Sequence, residues 1–388
     1  MSVTLGSTAL LASGALRGRR VGIVSNPASV DASFTHITDA LAHAPGVTLG
    51  AIFGPQHGFR SDVQDNMIET PHANDARRRV PVFSLYSETR EPTAEMLQHI
   101  DVLVIDLQDI GARIYTYIYT MANCLRACAR HGVDVIVCDR PNPIGGADVE
   151  GPMLVPGNES FVGQFPIPMR HGMTIGELAR FFNEHFAIGA RLQVIPMEGW
   201  ARSMYFDEVG LPFVMPSPNI PTLDSAILYP GTVLFEGTNA SEGRGTTRPF
   251  ELVGAPWVDA EALAHQMNGR GLPGVYFRPA VFEPTFQKHA KTTCGGCQIH
   301  VLDRVAFKPV LVGVALIDAI RAAGPSAFAW RRPPYEYEHD KEPIDILAGS
   351  PELRTAIDAG ARAEDLVAEW ERDSRPFEKV RADYLIYT

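Results

Sequence analysis

No run in the 388-residue sequence approaches the ~18 consecutive apolar residues of a membrane-spanning helix, which excludes an ordinary helical span. Positive charge is also scarce. A formal net charge of −11 argues against nucleic acid or an anionic membrane as partner, since both would repel an acidic surface. The first strand-like run is followed by Ser25-Asn-Pro-Ala-Ser29 rather than G-x-G-x-x-G, and no G-x-x-x-x-G-K-[ST] occurs. Nucleotide cofactors are therefore disfavoured. The absence of G-x-S-x-G argues against serine hydrolases of the nucleophile-elbow type. Cysteine is limited to five, an odd number that suits a reducing compartment better than a disulfide framework. Cys294-Gly-Gly-Cys297 lies near His289 and His300 but lacks the second CxxC of a zinc ribbon, so metal or redox chemistry there is disfavoured. The start has no positive segment ahead of its apolar stretch Ala9 to Leu16; Arg17, Arg19 and Arg20 come after it. It reads as a short amphipathic helix, and a cytoplasmic location follows.

What is present is an ordinary globular composition, 45% hydrophobic and 20% charged. Strand-like runs at Arg20–Ser25, Val47–Phe53, Val82–Leu85, Val102–Asp106 and Val133–Cys138 alternate with helical patterns at His36–His43, Thr93–His99 and Tyr115–Ala129. Near-continuous apolar strands separated by helices predict a parallel sheet covered on both faces, in a Rossmann-like α/β layer. Proline and glycine crowd into Asp139 to Pro156, which sets the expected junction between a domain at 1–150 and a second at 151–388. The second domain reads as a smaller, mixed α/β (α+β) unit. Thr174 N-caps a helix with Glu177 at the capping-box position. Strands are expected near Leu192–Pro196, Gly231–Phe235, Val275–Arg278 and Gln298–Val301, and helices at Asp259–Asn268, Lys308–Ala322 and Ala363–Arg372.

Polar groups recur at the ends of the first-domain strands. They are Asn26, then Gln56-His57 with Arg60, then Tyr86 with Glu88 and Arg90, then Asp106 with Gln108 and Asp109, then Arg140 and Asn142. Parallel topology puts all these ends on one sheet edge, where open α/β folds bind ligands. Arg113 and Tyr115 open the following helix; the arginine suits an anionic or hydroxyl-rich ligand, and the tyrosine suits either a sugar face or the core. Beyond the junction, Arg170-His171 and Asn219 sit on loops. The densest polar run, Phe235 to Glu251, holds Glu236, Asn239, Glu242 and Arg244 among glycines that allow close backbone approach. Carboxylates from two facing domains suit glycoside cleavage. The same residue types also fit a carbohydrate-binding protein or an amide hydrolase.

Long motifs in one order carry a resemblance that spans nearly the whole chain. They are Gly54-Pro-x-His-Gly58, Leu85-Tyr-x-x-Thr-Arg90, Asp106 to Arg113, Asp139 to Pro143, Arg170 to Thr174 and Glu236 to Thr247. With these the chain resembles the NamZ-type exo-β-N-acetylmuramidases of glycoside hydrolase family 171. The resemblance implies an active site in the cleft between the two domains and no metal or organic cofactor. It also implies release of N-acetylmuramic acid from the non-reducing ends of muropeptide or disaccharide fragments. His57, Arg113 and Arg170 would then bind the lactyl carboxylate or hydroxyls, and Asn239, Glu242 and Arg244 would close over the sugar. One position departs from the pattern. The family loop usually reads G-P-E-H-G, with that glutamate as favoured acid, and here it is Gln56. An amide cannot act as a general acid at neutral pH. Another carboxylate such as Glu88, Glu236 or Glu242 takes over, or the substrate N-acetyl group attacks while Gln56 orients it. Otherwise the protein binds sugar without cleaving it, or acts as an amidase or deacetylase on a related ligand.

Overall fold

The computed structural model describes residues 2–65 and 67–388. Twelve strands are assigned in chain order. They are β1 (Arg20–Ser25), β2 (Thr48–Gly54), β3 (Ala73–Asp75), β4 (Val80–Ser84), β5 (Val102–Asp106), β6 (Asp134–Cys138), β7 (Glu150–Met153), β8 (Pro168–Arg170), β9 (Leu192–Ile195), β10 (Leu252–Ala255), β11 (Val275–Phe282) and β12 (Cys294–Val301). Seven form one sheet in the order β3-β4-β2-β1-β5-β6-β9. All its pairings are parallel except β3 with β4. The expected Rossmann-like layer is present, because β1 and β5 are apolar on both faces and must be covered twice.

This sheet extends past residue 150: β9 pairs with Val135–Cys138, so the chain returns to the first layer after the proline-rich stretch. The β10-β12-β11 sheet is antiparallel, and β7 and β8 form a separate antiparallel pair. One continuous apolar core runs through both halves, from Val24, Phe53 and Leu103 to Phe277, Val314 and Trp370. The second half therefore leans on the first for burial. Among the described residues no helix is long and apolar enough to cross a membrane.

Most expected elements are found within a residue or two. Thr174 caps the helix Ile175–His185 with the full reciprocal box to Glu177. The expected strand at Gly231–Phe235 is absent. That stretch ends the helix Leu223–Thr232 and continues as the 3-10 turn Val233–Gly237. Short β-branched runs do not separate strand from buried helix by pattern alone. The packing decides it: a Cβ on Gly231 would lie 1.9 Å from the Pro309 carbonyl oxygen, so two helices meet at Gly231 and Gly313 with no side chains between them.

Cys294 and Cys297 both lie on β12, opposite Phe282 and Pro279. Three residues apart on a strand, their side chains project to opposite faces and cannot form a pair. Both are free and buried.

Candidate active site

The loop after β2 brings Gln56 and His57 to the wall of a small pocket. The opposite wall comes from Glu236, Arg244 and Phe250, and a third side from Tyr335 and Glu336. Tyr115, Thr116 and Tyr117, at the start of the helix Tyr117–His131, close the floor with Tyr229. The rings of Tyr115 and Tyr229 meet edge to face at 5.9 Å.

Gln56 is buried, and both ends of its amide are committed. Its Oε1 accepts from Thr116 Oγ1 at 2.6 Å, and its Nε2 donates to Tyr86 Oη at 3.2 Å. Tyr86 Oη in turn donates to Glu336 Oε2 at 3.1 Å. Gln56 also donates a hydrogen bond to the Glu336 carboxyl. The amide thus holds a carboxyl that the sequence reading did not single out.

Two carboxylates in the pocket have opposite electrostatics. Burial and the nearby Glu236 charge raise Glu336 to about 7, against hydrogen bonds from Tyr86 and Gln56 that favour its ionised form. Burial also pushes Glu236 upward, but Arg244 overcomes it and leaves Glu236 below the ordinary carboxylate range. Arg244 Nη2 reaches Glu236 Oε1 at 2.5 Å, and Tyr335 Oη donates to Glu236 Oε2 at 2.7 Å. A carboxyl that can keep its proton near neutrality beside one that stays ionised is an acid and a charge stabiliser in one cavity.

Arg244 also faces Glu242 at 3.4 Å, and Glu242 is held by Lys288 at 2.5 Å. Its Nη1 has no hydrogen-bond partner among the described residues. Arg244 lines the cavity, and a ligand acceptor that reached this buried N–H would be its first hydrogen-bond partner. Burial drives His57 down to about 4, so its ring is neutral near pH 7. Its Nδ1 lies 2.8 Å from the Val63 carbonyl oxygen, which can only accept. The proton therefore sits on Nδ1, leaving Nε2 as an acceptor.

The structure brings together Gln56, His57, Tyr115, Asn219, Glu236 and Arg244 in this pocket. Asn219 Nδ2 donates to the Gln64 carbonyl at 2.8 Å, tying the loop after β2 to the second half. Asn66, later in the same stretch of sequence, lies outside the described residues.

Other candidates are placed elsewhere. Glu242 lies behind Arg244 rather than on the pocket wall. Arg60 is exposed and lines a neighbouring cleft with Asp62 and Thr70. Asn26 bonds Gln108 and Ser29, and Asn142 bonds Met173 and Ile144, so both are turn builders. Asp106 and Arg140 form a closed bidentate pair at 2.6 and 3.0 Å. Arg170 donates to the Ile144 carbonyl at 2.6 Å, and His171 lies 3.5 Å from Asp109.

Arg113 is not among the residues that line the pocket. It is fully buried, pushed down to about 10 by that burial, and donates Nη2 to the Leu347 carbonyl at 2.9 Å. Asn239 ties its loop to Ala327 and Ala329. Glu88 stands 82% exposed outside the pocket.

Glu336 is the residue that strand-end reasoning missed, since it lies on no strand or helix. A signal was available in Pro333-Pro-Tyr-Glu-Tyr-Glu338, where aromatic and acidic residues alternate directly after two prolines. Glu336 and Tyr337 both have left-handed backbone, φ 45° and 69°. Such strain in non-glycine residues concentrates at functional sites.

Comparison with known proteins identifies the family. Residues 21–224 match the family model described as exo-β-N-acetylmuramidase NamZ, N-terminal, and residues 227–387 match its C-terminal counterpart. The chain is 47% identical over 372 residues to the peptidoglycan β-N-acetylmuramidase NamZ of Bacillus subtilis (strain 168), covering 96% of this chain and 88% of that protein. Crystal structures of two DUF1343 family proteins from Bacteroides fragilis NCTC 9343 superpose with TM-scores of 0.90 and 0.78, at 37% and 29% identity. Each comparison covers 100% of this chain and 99% of the other.

Proposed function

The chain belongs to the NamZ family of exo-β-N-acetylmuramidases, and we propose that the Gln56–Glu336–Glu236 pocket is where it releases N-acetylmuramic acid from peptidoglycan fragments. The observation that carries this reading is the Glu336 carboxyl, held protonated up to about pH 7 at the wall of a pocket whose other carboxylate is ion-paired. Glu336 takes the acid role that Gln56 cannot fill. Its proton passes to the glycosidic oxygen as the bond from that oxygen to the anomeric carbon breaks. Glu236, fixed as an anion, stabilises the oxocarbenium charge that develops on the sugar. Water supplies hydroxide to the anomeric carbon, and its remaining proton restores Glu336. The unpartnered Nη1 of Arg244 suits the lactyl carboxylate that distinguishes N-acetylmuramic acid from neutral amino sugars. His57 Nε2, an acceptor in its neutral form, receives a sugar hydroxyl.

Hydrolysis of a β-linked N-acetylmuramyl disaccharide beside a nitrophenyl N-acetylmuramide tests the assignment. Glu336→Gln should lose about 10²–10⁴-fold on the disaccharide, the usual worth of a positioned acid. It should lose far less on the nitrophenyl substrate, whose leaving group departs without a proton. Full disaccharide activity in Glu336→Gln would remove Glu336 from the mechanism. A native protein that binds the disaccharide and cleaves neither compound would be a sugar-binding protein instead.

A further inference from the structure

Glu336 borders two spaces. One is the inner pocket; the other is a wide groove of ≈ 750 Å³ lined by Glu69, Glu88, Arg90, Phe161, Tyr337 and Glu338. Tyr86 forms part of the same partition. Its hydroxyl points to Gln56 and Glu336, while its ring belongs to an aromatic cluster on the groove side. In that cluster the Arg90 guanidinium lies 4.3 Å from the Tyr86 ring centroid, 4.6 Å from Tyr337 and 5.6 Å from Phe161. Arg90 is fixed further by the Ser87 carbonyl and by Glu69 at 3.3 Å. This leaves Tyr337 as a ring that is 44% exposed on a rigid support.

We propose that this groove receives the leaving saccharide, and that the saccharide is a neutral hexosamine stacked on Tyr337. The inference rests on the acid role given to Glu336 above. An acid must lie beside the glycosidic oxygen, which places the scissile bond at Glu336, the residue that borders both spaces. With the sugar that carries the anionic arm placed against Arg244, its leaving partner falls on the groove side. An exposed aromatic ring beside hydrogen-bond acceptors suits the apolar face and hydroxyls of a pyranose. Glu69, Glu88 and Glu338 line this groove with carboxyl groups that accept from hydroxyl and amide donors and disfavour an anionic leaving group. The groove thus selects by charge as the pocket does, with the opposite preference. Residues remote from the bond then contribute to turnover only when the leaving group is large enough to reach them.

Tyr337→Ala and Tyr337→Phe separate stacking from the hydroxyl. In Tyr337→Ala, kcat/KM for the muramyl–hexosamine disaccharide should fall about tenfold more than for the nitrophenyl muramide, the scale of one aromatic contact. Tyr337→Phe should restore most of the difference. Equal losses on both substrates in a folded Tyr337→Ala protein would overturn the proposal. A second measurement does not depend on turnover: saturation-transfer NMR with free N-acetylglucosamine, on protein already filled with N-acetylmuramic acid. Signal in the native protein and none in Tyr337→Ala supports the groove; equal signal in both rejects it. If neither substrate is cleaved, the catalytic reading fails while this binding result still decides the groove.

Discussion

Two buried polar clusters stand in this molecule, and they differ in whether their charges are satisfied. At the ends of β5 and β6, Asp106 closes on Arg140 through two hydrogen bonds of 2.6 and 3.0 Å. Beside it Asp139 accepts from Tyr387 Oη, Thr174 Oγ1, Gly176 N and Arg140 N, all within 2.9 Å. Those oxygens are used up. In the pocket the balance is incomplete. Arg244, on the wall of the cavity, keeps an Nη1 with no partner among the described residues. Polar density at a sheet edge therefore does not identify a site. Unspent hydrogen-bonding capacity facing a cavity does.

That contrast makes the saturated cluster the place where substitution damages the fold and spares the chemistry. Asp106→Ala leaves the Arg140 guanidinium, 3% exposed, without its partner. Breaking a buried pair in this way costs about 3–5 kcal/mol. A large fall in urea midpoint is expected, with unchanged kcat per folded molecule on a chromogenic muramide. A fall in kcat with little change in stability would place this pair in the site after all, and erase the distinction between the clusters.

The same contrast explains what the sequence discloses. Strand and helix periods give five of the seven strands of the large layer, because β1, β5 and β6 are apolar over nearly their full lengths; the short β3 and the returning β9 are not placed there by pattern. Gln56, His57, Glu236 and Arg244 are legible because they stand in dense polar loops, and they do meet in space. Arg113, Asp106, Arg140 and Arg170 look identical to them by residue type. Only the three-dimensional partners show that Arg140 closes on Asp106, and that Arg113 and Arg170 each donate to a backbone carbonyl away from the pocket. Glu336 escapes for the converse reason. It sits 100 residues after Glu236, in a stretch without periodicity, and acquires its character only from burial against Tyr86 and Gln56. A titration property created by tertiary desolvation leaves no local pattern.

Restoring the carboxylate at position 56 sharpens the comparison from the pocket side. In the native protein the alkaline limb follows Glu336, so disaccharide kcat/KM should fall as pH rises through about 7 and the carboxyl loses its proton. Gln56→Glu replaces a donor to Glu336 with a second acid that shares Tyr86. Two carboxyls in one desolvated site do not both ionise readily, and they titrate as a pair. The alkaline limb should move upward by about one pH unit or more, corresponding to roughly 1.4 kcal/mol. A limb that stays in place would show that Gln56 and Glu336 do not share a proton site. If only Gln56→Glu cleaves the disaccharide, the native acid is absent and Glu336 does not replace it.

The smallest effect probes how saturated the first cluster is. Thr174 Oγ1 accepts from the Glu177 backbone N–H at 3.2 Å and donates to Asp139 Oδ2 at 2.7 Å. Thr174→Ala removes a helix cap, worth about 1 kcal/mol. Asp139 still keeps donors from Tyr387, Gly176 and Arg140, so its oxygens are not left bare. The loss in unfolding free energy should therefore stay near that of the cap alone, with no change in the pH limb of disaccharide hydrolysis. Thr174→Ser, which keeps the hydroxyl, should recover most of it. A loss several times larger would mean that Asp139 depends on this one hydroxyl, and that the cluster is held together as tightly balanced a set as the pocket is open.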